Sequence, residues 1–549
     1  MTTTIQDTGV DRPSVPLWLK LAGAGAIVAA LAALCLNAAT MTFCEDEANG
    51  FYLSKQPLGE LLGLLRSGYH EDPPLSDVIL HAWIPVAGFR PWLLRAVPVA
   101  FWVLALPGLF LVGRRLLGPR GGWLTLLAVG ILPFHWTIPG VFRWYSLYAC
   151  LAVWNSWCFL HFVDASAGES RTTARRSGLR TVGYVLTGTA LWYTNYSAPV
   201  LFFSHLVIAL IVARSEAWWP VLHRLALCWL VIGVLFLPWL PTFLGQLGRS
   251  ARPLSPSYTA LSLWVLWAGE LASPFRLHTA VPAMVGGLAF VVLGAMRFGR
   301  SAIPGCVAAV ALAGLLATGA IGPKRLLIVS PFLALALAAA LGTEGREPRT
   351  ADRRFVRAGL SVSLACALVA LAAVSWFNLV RRSDWVAYRW LDPCPEAVEQ
   401  VRARAPGALV VSNSNPVFFY LEDEYGKNLC RLPQEQEPGY RPAAMLFPLE
   451  LNYAPRCREA LRGARRVAWI YHSPYHGPIS GCYEETVGRL AQYGFHPSAV
   501  EPLLRPAPGF LRHHPKFGDR AAHPADDCRM VVVYFEKDPT SIRVARQPP

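Results

Sequence analysis

The sequence predicts a polytopic α-helical membrane protein of about eleven spans, roughly 10–13, with a soluble α/β domain at its C-terminal end. Three observations lead there. Only 15% of the residues are charged, against about 25% in soluble domains. Apolar runs of bilayer length recur from residue 17 to residue 380. Beyond residue 380 they give way to short apolar runs interleaved with helical periodicity.

The first run, Leu17 to Ala39, has the length of a span and exceeds the apolar core of a cleaved signal peptide. It reads as a retained first helix. Further runs lie at 93–113, 120–139, 141–163, 181–197, 198–214, 222–244, 281–298, 303–321, 324–341 and 358–380. Two shorter runs, 75–88 and 259–272, read as re-entrant or interfacial segments packed against protein.

Loop charge sets the orientation. The net charge of +15 comes largely from arginines in short loops, which excludes a nucleic-acid partner in favour of the positive-inside rule. Arg114, Arg115 and Arg120, then Arg171, Arg175, Arg176 and Arg180, then Arg346, Arg349, Arg353 and Arg354 all fall inside when the two short runs do not cross. The N-terminus is then cytoplasmic. Residues 1–380 form the membrane domain, with a first external loop at 41–75, and residues 381–549 form an extracytoplasmic domain. The expected location is the bacterial inner membrane.

In that outer domain, 408–412, 466–471 and 530–535 read as buried strands, and 395–404 and 484–493 as helices. Cys44, Cys394, Cys430, Cys457, Cys482 and Cys528 all fall outside, where disulfides are allowed and fifteen pairings are open. Without a CxxC pair, a zinc site is not expected.

The chemistry concentrates in the loops. Glu45, Asp46 and Glu47 follow the first span directly. Solvated acids at a helix mouth explain them without function, whereas a carboxylate there also suits a general base. Further on come His70-Glu71-Asp72-Pro73-Pro74-Leu75 and His81-Ala82-Trp83. The prolines fix an extended entry to a helix. Trp192 to Tyr196 fits an interfacial aromatic belt, as do Trp264 and Trp267 beside Glu270.

The order of these motifs, with Arg143-Trp144-Tyr145-Ser146-Leu147 and Lys324-Arg325-Leu326-Leu327, resembles the GT-C glycosyltransferases. The resemblance covers about residues 17–341 and is nearest to glycosyltransferase family 39, the protein mannosyltransferase-like enzymes, and to the lipid A aminoarabinose transferases. It implies transfer of a sugar from a polyprenyl-phosphate donor to a protein, lipid or glycan acceptor at the outer face. It assigns Asp46 as base with Glu47 beside it, and Arg143, Arg325, Lys324 and His70 to the donor phosphate. Tyr145, Asp72 and Tyr193 are the further substrate-binding candidates. The residue types suit the reaction: a carboxylate deprotonates the acceptor hydroxyl, and cations stabilise the departing phosphate.

One departure stands out. The family often has His or Lys where this chain has Asp72, and an acid there repels phosphate. Three explanations stay open: His70 substitutes, a divalent cation bridges, or the loop differs. That cation is the one cofactor candidate. The competing functions are a transporter or flippase of polyprenyl-linked sugar, which predicts paired broken helices that the sequence does not display, and a catalytically inactive scaffold.

Overall fold

The computed structural model describes residues 15–67, 72–165, 171–212, 218–250, 327, 330–341, 393–412, 414–422, 461–472, 483–503 and 530–537. The expected spans at 281–298, 303–321 and 358–380, the segment 259–272, the Arg346–Arg354 cluster, and His70, Lys324 and Arg325 lie outside the described residues.

Helix α1, Leu17–Thr40, carries one charge, Lys20, in 24 residues. Its small residues let another helix approach closely. A Cβ on Gly130 would stand 2.6 Å from the Ala26 carbonyl carbon, and one on Gly23 would meet Trp123 at 3.1 Å. Close packing through small residues is the usual device where no hydrophobic drive separates helix from lipid.

Three helices follow in the loop region: α2, Glu45–Ser54, α3, Leu58–Ser67, and α4, Leu75–Ala87. After α5, Pro91–Leu94, comes α6, Ala96–Ile131, which holds two antiparallel arms. The chain turns at Gly118, whose φ of 81° a residue with a Cβ adopts only at a cost. The Pro119 ring follows it, and the Phe110 and Trp123 rings meet at 5.3 Å across the bend. The expected span 93–113 and the first part of 120–139 are thus the arms of one hairpin with Arg114, Arg115 and Arg120 at its tip; the second arm ends at Ile131, and 133–136 and 138–140 are short 3-10 turns.

Helices α7, Tyr145–Ala165, α8, Arg171–Trp192, α9, Ala198–Val212, α10, Trp218–Phe236, α11, Leu240–Ser250, and α12, Ser330–Leu341, continue the bundle. Helices α7 and α8 run antiparallel. Asn155 of α7 donates to the Tyr184 carbonyl at 2.8 Å and to Thr187 at 2.9 Å, while Phe159 meets Tyr184, which runs α7 against α8. The contacts of Gly23 with Trp123 and of Ala26 with Gly130 run α1 along the second arm of α6. Thr40, residues 132–144 and the 193–197 turn therefore share one side, and the hairpin tip lies on the other. Among the described residues, Leu17–Thr40, Pro91–Ile131 and Trp219–Gln246 are long and apolar enough to cross a membrane. Large apolar side chains point outward from them, Trp18, Val28, Leu230 and Val234 among them, as a lipid solvent permits.

The chain divides into two compact units. Residues 1–40, 57–83 and 95–386 belong to the first, and residues 41–56, 84–94 and 387–549 to the second. The second holds α13, Cys394–Arg404, β1, Leu409–Ser412, α14, Asn415–Tyr420, β2, Arg466–His472, α15, Tyr483–Ala491, β3, Phe495–Leu503, and β4, Met530–Lys537. The sheet order is β1-β2-β4-β3, with β1 parallel to β2 and the remaining pairs antiparallel. Val467, Trp469, Tyr471, Val531, Val533 and Phe535 form one core face with Leu490 of α15. Three strands and both helices fall where the sequence places them. Strand β3 was not expected: it is an exposed edge strand holding Pro497 and Pro502, and proline in a strand is confined to such edges.

Helix α2 also belongs to this unit. Its first turn holds Glu45, Asp46 and Glu47, whose charges suit the positive end of the helix dipole. Phe43 stacks on Phe419 with centroids 4.2 Å apart, and Phe51 and Phe89 meet the same ring at 5.1 and 5.5 Å. Lys55 Nζ lies 4.6 Å above Phe89.

Candidate active site

In the first unit, three loops converge at one end of the bundle. Pro73 and Pro74 extend the chain before α4, and the Leu75 N–H donates to the Tyr193 carbonyl at 2.8 Å. This hydrogen bond ties the α4 entry to the turn between α8 and α9. Asp72 is thereby held beside Arg143, in the segment preceding α7. The Arg143 guanidinium donates to Asp72 Oδ2 at 2.8 Å, with side chains only 14% and 12% exposed. Asn195 Nδ2 donates to the other carboxylate oxygen at 3.3 Å. Asn195 Oδ1 in turn accepts from the Ser197 N–H and hydroxyl at 3.0 and 2.7 Å.

The Asp72 departure therefore has a physical account. The acid neutralises Arg143, so a guanidinium can sit in a largely buried position without an uncompensated charge. The guanidinium fork matches a carboxylate and a phosphate alike.

A second network adjoins this one. The Trp239 indole donates to Tyr196 Oη at 3.0 Å, the Tyr196 hydroxyl donates to Gln246 Oε1, and Gln246 Nε2 donates to the Leu65 carbonyl at 3.2 Å. The 193–197 turn is outside the helices that span. There burial pushes the Tyr196 hydroxyl up to about 12, the Trp239 bond opposing and the Asp72 carboxylate adding to the rise. The Tyr193 hydroxyl donates to the Leu235 carbonyl at 3.0 Å, and its ring meets Phe236 and Trp239. The aromatic belt read at Trp192–Tyr196 is here a cluster folded against the end of α10. Tyr145 opens α7, 7% exposed, against Trp144 with centroids 4.5 Å apart.

Of the candidates, Asp72, Arg143, Tyr145 and Tyr193 belong to the first unit, and Asp46 and Glu47 to the second. Glu47 has a local task. Its carboxylate accepts the Cys44 N–H at 3.1 Å, completing a capping box, and it is fully buried. Asp46, one residue earlier, is half-buried. Among the described residues no group of three or more His, Cys, Asp and Glu side chains could hold a metal ion. The sequence reading missed Asn195, Ser197, Trp239 and Gln246 as site residues. The signal available was the polar run Thr194 to Ser197 between two apolar helices; Gln246, within α11, offered none.

No family model matches the chain, and no curated protein matches it. Solved structures do. ArnT from Cupriavidus metallidurans in the apo state is similar over 97% of this chain and 99% of its own, at 15% identity and TM-score 0.54. The same protein bound to undecaprenyl phosphate is similar over 94% and 98%, at 15% identity and TM-score 0.50. The oligosaccharyltransferase AglB from Archaeoglobus fulgidus, in complex with an inhibitory peptide and a dolichol-phosphate, is similar over 82% and 69%, at 12% identity and TM-score 0.47. The chain is thus similar in fold to ArnT over most of both chains.

Proposed function

We propose that this protein is a membrane glycosyltransferase that moves a sugar from a polyprenyl-phosphate donor to an acceptor hydroxyl at the outer face of the membrane. The observation that carries the reading is the fold shared with ArnT over nearly both chains, a protein also solved with undecaprenyl phosphate. The geometry adds support. A guanidinium kept almost out of solvent, Arg143, lies at the bundle end that loop charge assigns to the outside.

Arg143 meets the charge that grows on the phosphate as the glycosidic bond breaks, and Lys324, Arg325 and His70 share that role. Asp46 removes the proton of the acceptor hydroxyl. Residues 381–549 lie outside the membrane and help bind the acceptor. The organism's inner membrane is the proposed location.

The test is transfer by the purified protein in proteoliposomes, offered a panel of undecaprenyl-phosphate-linked sugars together with the lipid, glycan and protein fractions of the source cells as acceptors, with sugar-modified acceptor and released undecaprenyl phosphate followed by mass spectrometry. Wild type releases the lipid from one donor of the panel. Asp46→Asn is expressed and folded but releases none. Failure of wild type with every donor and acceptor fraction refutes glycosyl transfer, and full activity of Asp46→Asn removes Asp46 from the mechanism.

A further inference from the structure

Helix α2 spans ten residues, fewer than the 12–15 or so that an isolated helix needs to hold together in water. Its order must come from tertiary contacts, and segment 414–420 of the C-terminal region supplies several of them within the same unit. Before Asp46 in the sequence, the Phe43 N–H donates to Tyr420 Oη at 2.8 Å, and the Phe43 ring lies on Phe419 at an interplanar angle of 24°. Next to Asp46, the Ser414 hydroxyl donates to the Glu45 carboxylate at 3.3 Å. One turn further along α2, Phe51 meets the edge of Phe419 at 89°. The capping box of Glu47 with Cys44 closes the turn from inside. Asp46 thus sits in a turn gripped on both flanks by side chains whose sequence positions are about 370 residues away: the separations are 377 for Phe43 and Tyr420 and 369 for Glu45 and Ser414.

From this arrangement we infer that Ser414, Phe419 and Tyr420 are positioning residues for Asp46, so that the C-terminal region sets the geometry of the base rather than only receiving the acceptor. The inference rests on the glycosyl-transfer reading above. The physical content is alignment. A base displaced by about 1 Å from the hydroxyl it must deprotonate loses up to about a hundredfold in rate. The donor lipid binds through its phosphate, so its affinity does not depend on that alignment.

The experiment uses the full-length protein in proteoliposomes with the donor and the acceptor fraction used by wild type. Tyr420→Phe keeps the ring and removes the oxygen that accepts the Phe43 N–H. Ser414→Ala removes the donor to Glu45. The Tyr420→Phe/Ser414→Ala double variant lowers kcat about tenfold, leaves KM for the lipid donor unchanged, and leaves the thermal transition in place. Amide exchange at 43–48 accelerates, and Ser414→Thr, which keeps a hydroxyl, retains wild-type kcat. A merely structural role predicts instead a lower transition temperature and less folded protein, with kcat per folded molecule intact.

If the double variant turns over at the wild-type rate while Asp46→Asn is inactive, the positioning role is overturned and glycosyl transfer stands. If Asp46→Asn is fully active, the positioning role falls with the base assignment. If wild type transfers from no lipid-phosphate sugar, both readings fall together.

Discussion

Replacing Asp72 with Asn removes one charge from a pair whose closest atoms are 2.8 Å apart. At an effective dielectric of about 20, the attraction lost is about 6 kcal/mol, much of it offset in wild type by desolvation of both ions. Removing one partner of a fully buried pair costs about 3–5 kcal/mol. With 14% and 12% of the two side chains still exposed, water screens some of this, and the expected loss is about 2–3 kcal/mol. Asparagine can still accept from Asn195, but its amide then presents a donor to the Arg143 guanidinium. A double-mutant cycle of Asp72→Asn and Arg143→Gln isolates the pairwise coupling from whatever else each side chain touches. Reversible unfolding in mixed micelles measures it, with an expected coupling of about 2 kcal/mol. The same variants report on ligand: Asp72→Asn tightens undecaprenyl phosphate binding about tenfold by removing the competing carboxylate, and Arg143→Gln weakens it. Effects on stability that simply add, to within about 0.5 kcal/mol, refute the energetic argument. Weaker binding by Asp72→Asn refutes competition and assigns Asp72 to the ligand, directly or through a cation.

Gly118→Ala forces a side chain into an extended positive-φ conformation, φ 81° and ψ −179°, open essentially to glycine alone, and costs about 1–3 kcal/mol, read as lower yield and earlier unfolding. Glu47→Ala removes the cap acceptor and costs about 1 kcal/mol, whereas Glu47→Gln, which can still accept the Cys44 N–H, keeps transfer activity; loss of activity in the Gln variant alone makes Glu47 a participant in the chemistry. Tyr196→Phe breaks its links to Trp239 and Gln246 at a cost of about 1–2 kcal/mol. The Tyr196 hydroxyl is raised in the folded state from 10.0 to about 12. Its contribution is therefore complete below pH 10 and is lost as pH rises through about 12; unfolding curves of wild type lose that increment between those values and those of Tyr196→Phe do not.

Much of the bundle was legible because span length and loop charge are local properties. The runs at 17–40, 141–163 and 222–244 anticipate α1, α7 and α10, and the Gly118-Pro119 pair between arginines marks the hairpin tip. In the sheet, β2 and β4 are buried on both faces and read as continuous apolar runs, while the prolines and alternating exposure of β3 conceal it. The site was less legible. Asp72 and Arg143 are 71 residues apart, and nothing local makes one the counter-ion of the other. The capping box at Glu47 was harder to see because Cys44 stands where Ser, Thr, Asp or Asn usually caps. The acids of α2 were visible as a group, but the ring of Phe419 against Phe43 and Phe51 was not, since that contact crosses most of the chain.

The sequence distance between α2 and its supports has a consequence for synthesis. Residues 43–51 leave the ribosome first, yet the Tyr420 hydroxyl that receives the Phe43 N–H arrives 377 residues later. At roughly 5–20 residues per second, the delay is on the order of 20–75 s. During that interval Phe43, Phe51 and Phe89 have no Phe419 ring to pack on, and the nascent chain carries an unfinished aromatic surface beside its first helix. A chain cut short before residue 415 keeps that surface open for its whole lifetime. Quality control that senses exposed aromatics would therefore clear truncated copies, even though the helices that cross the membrane had already been made.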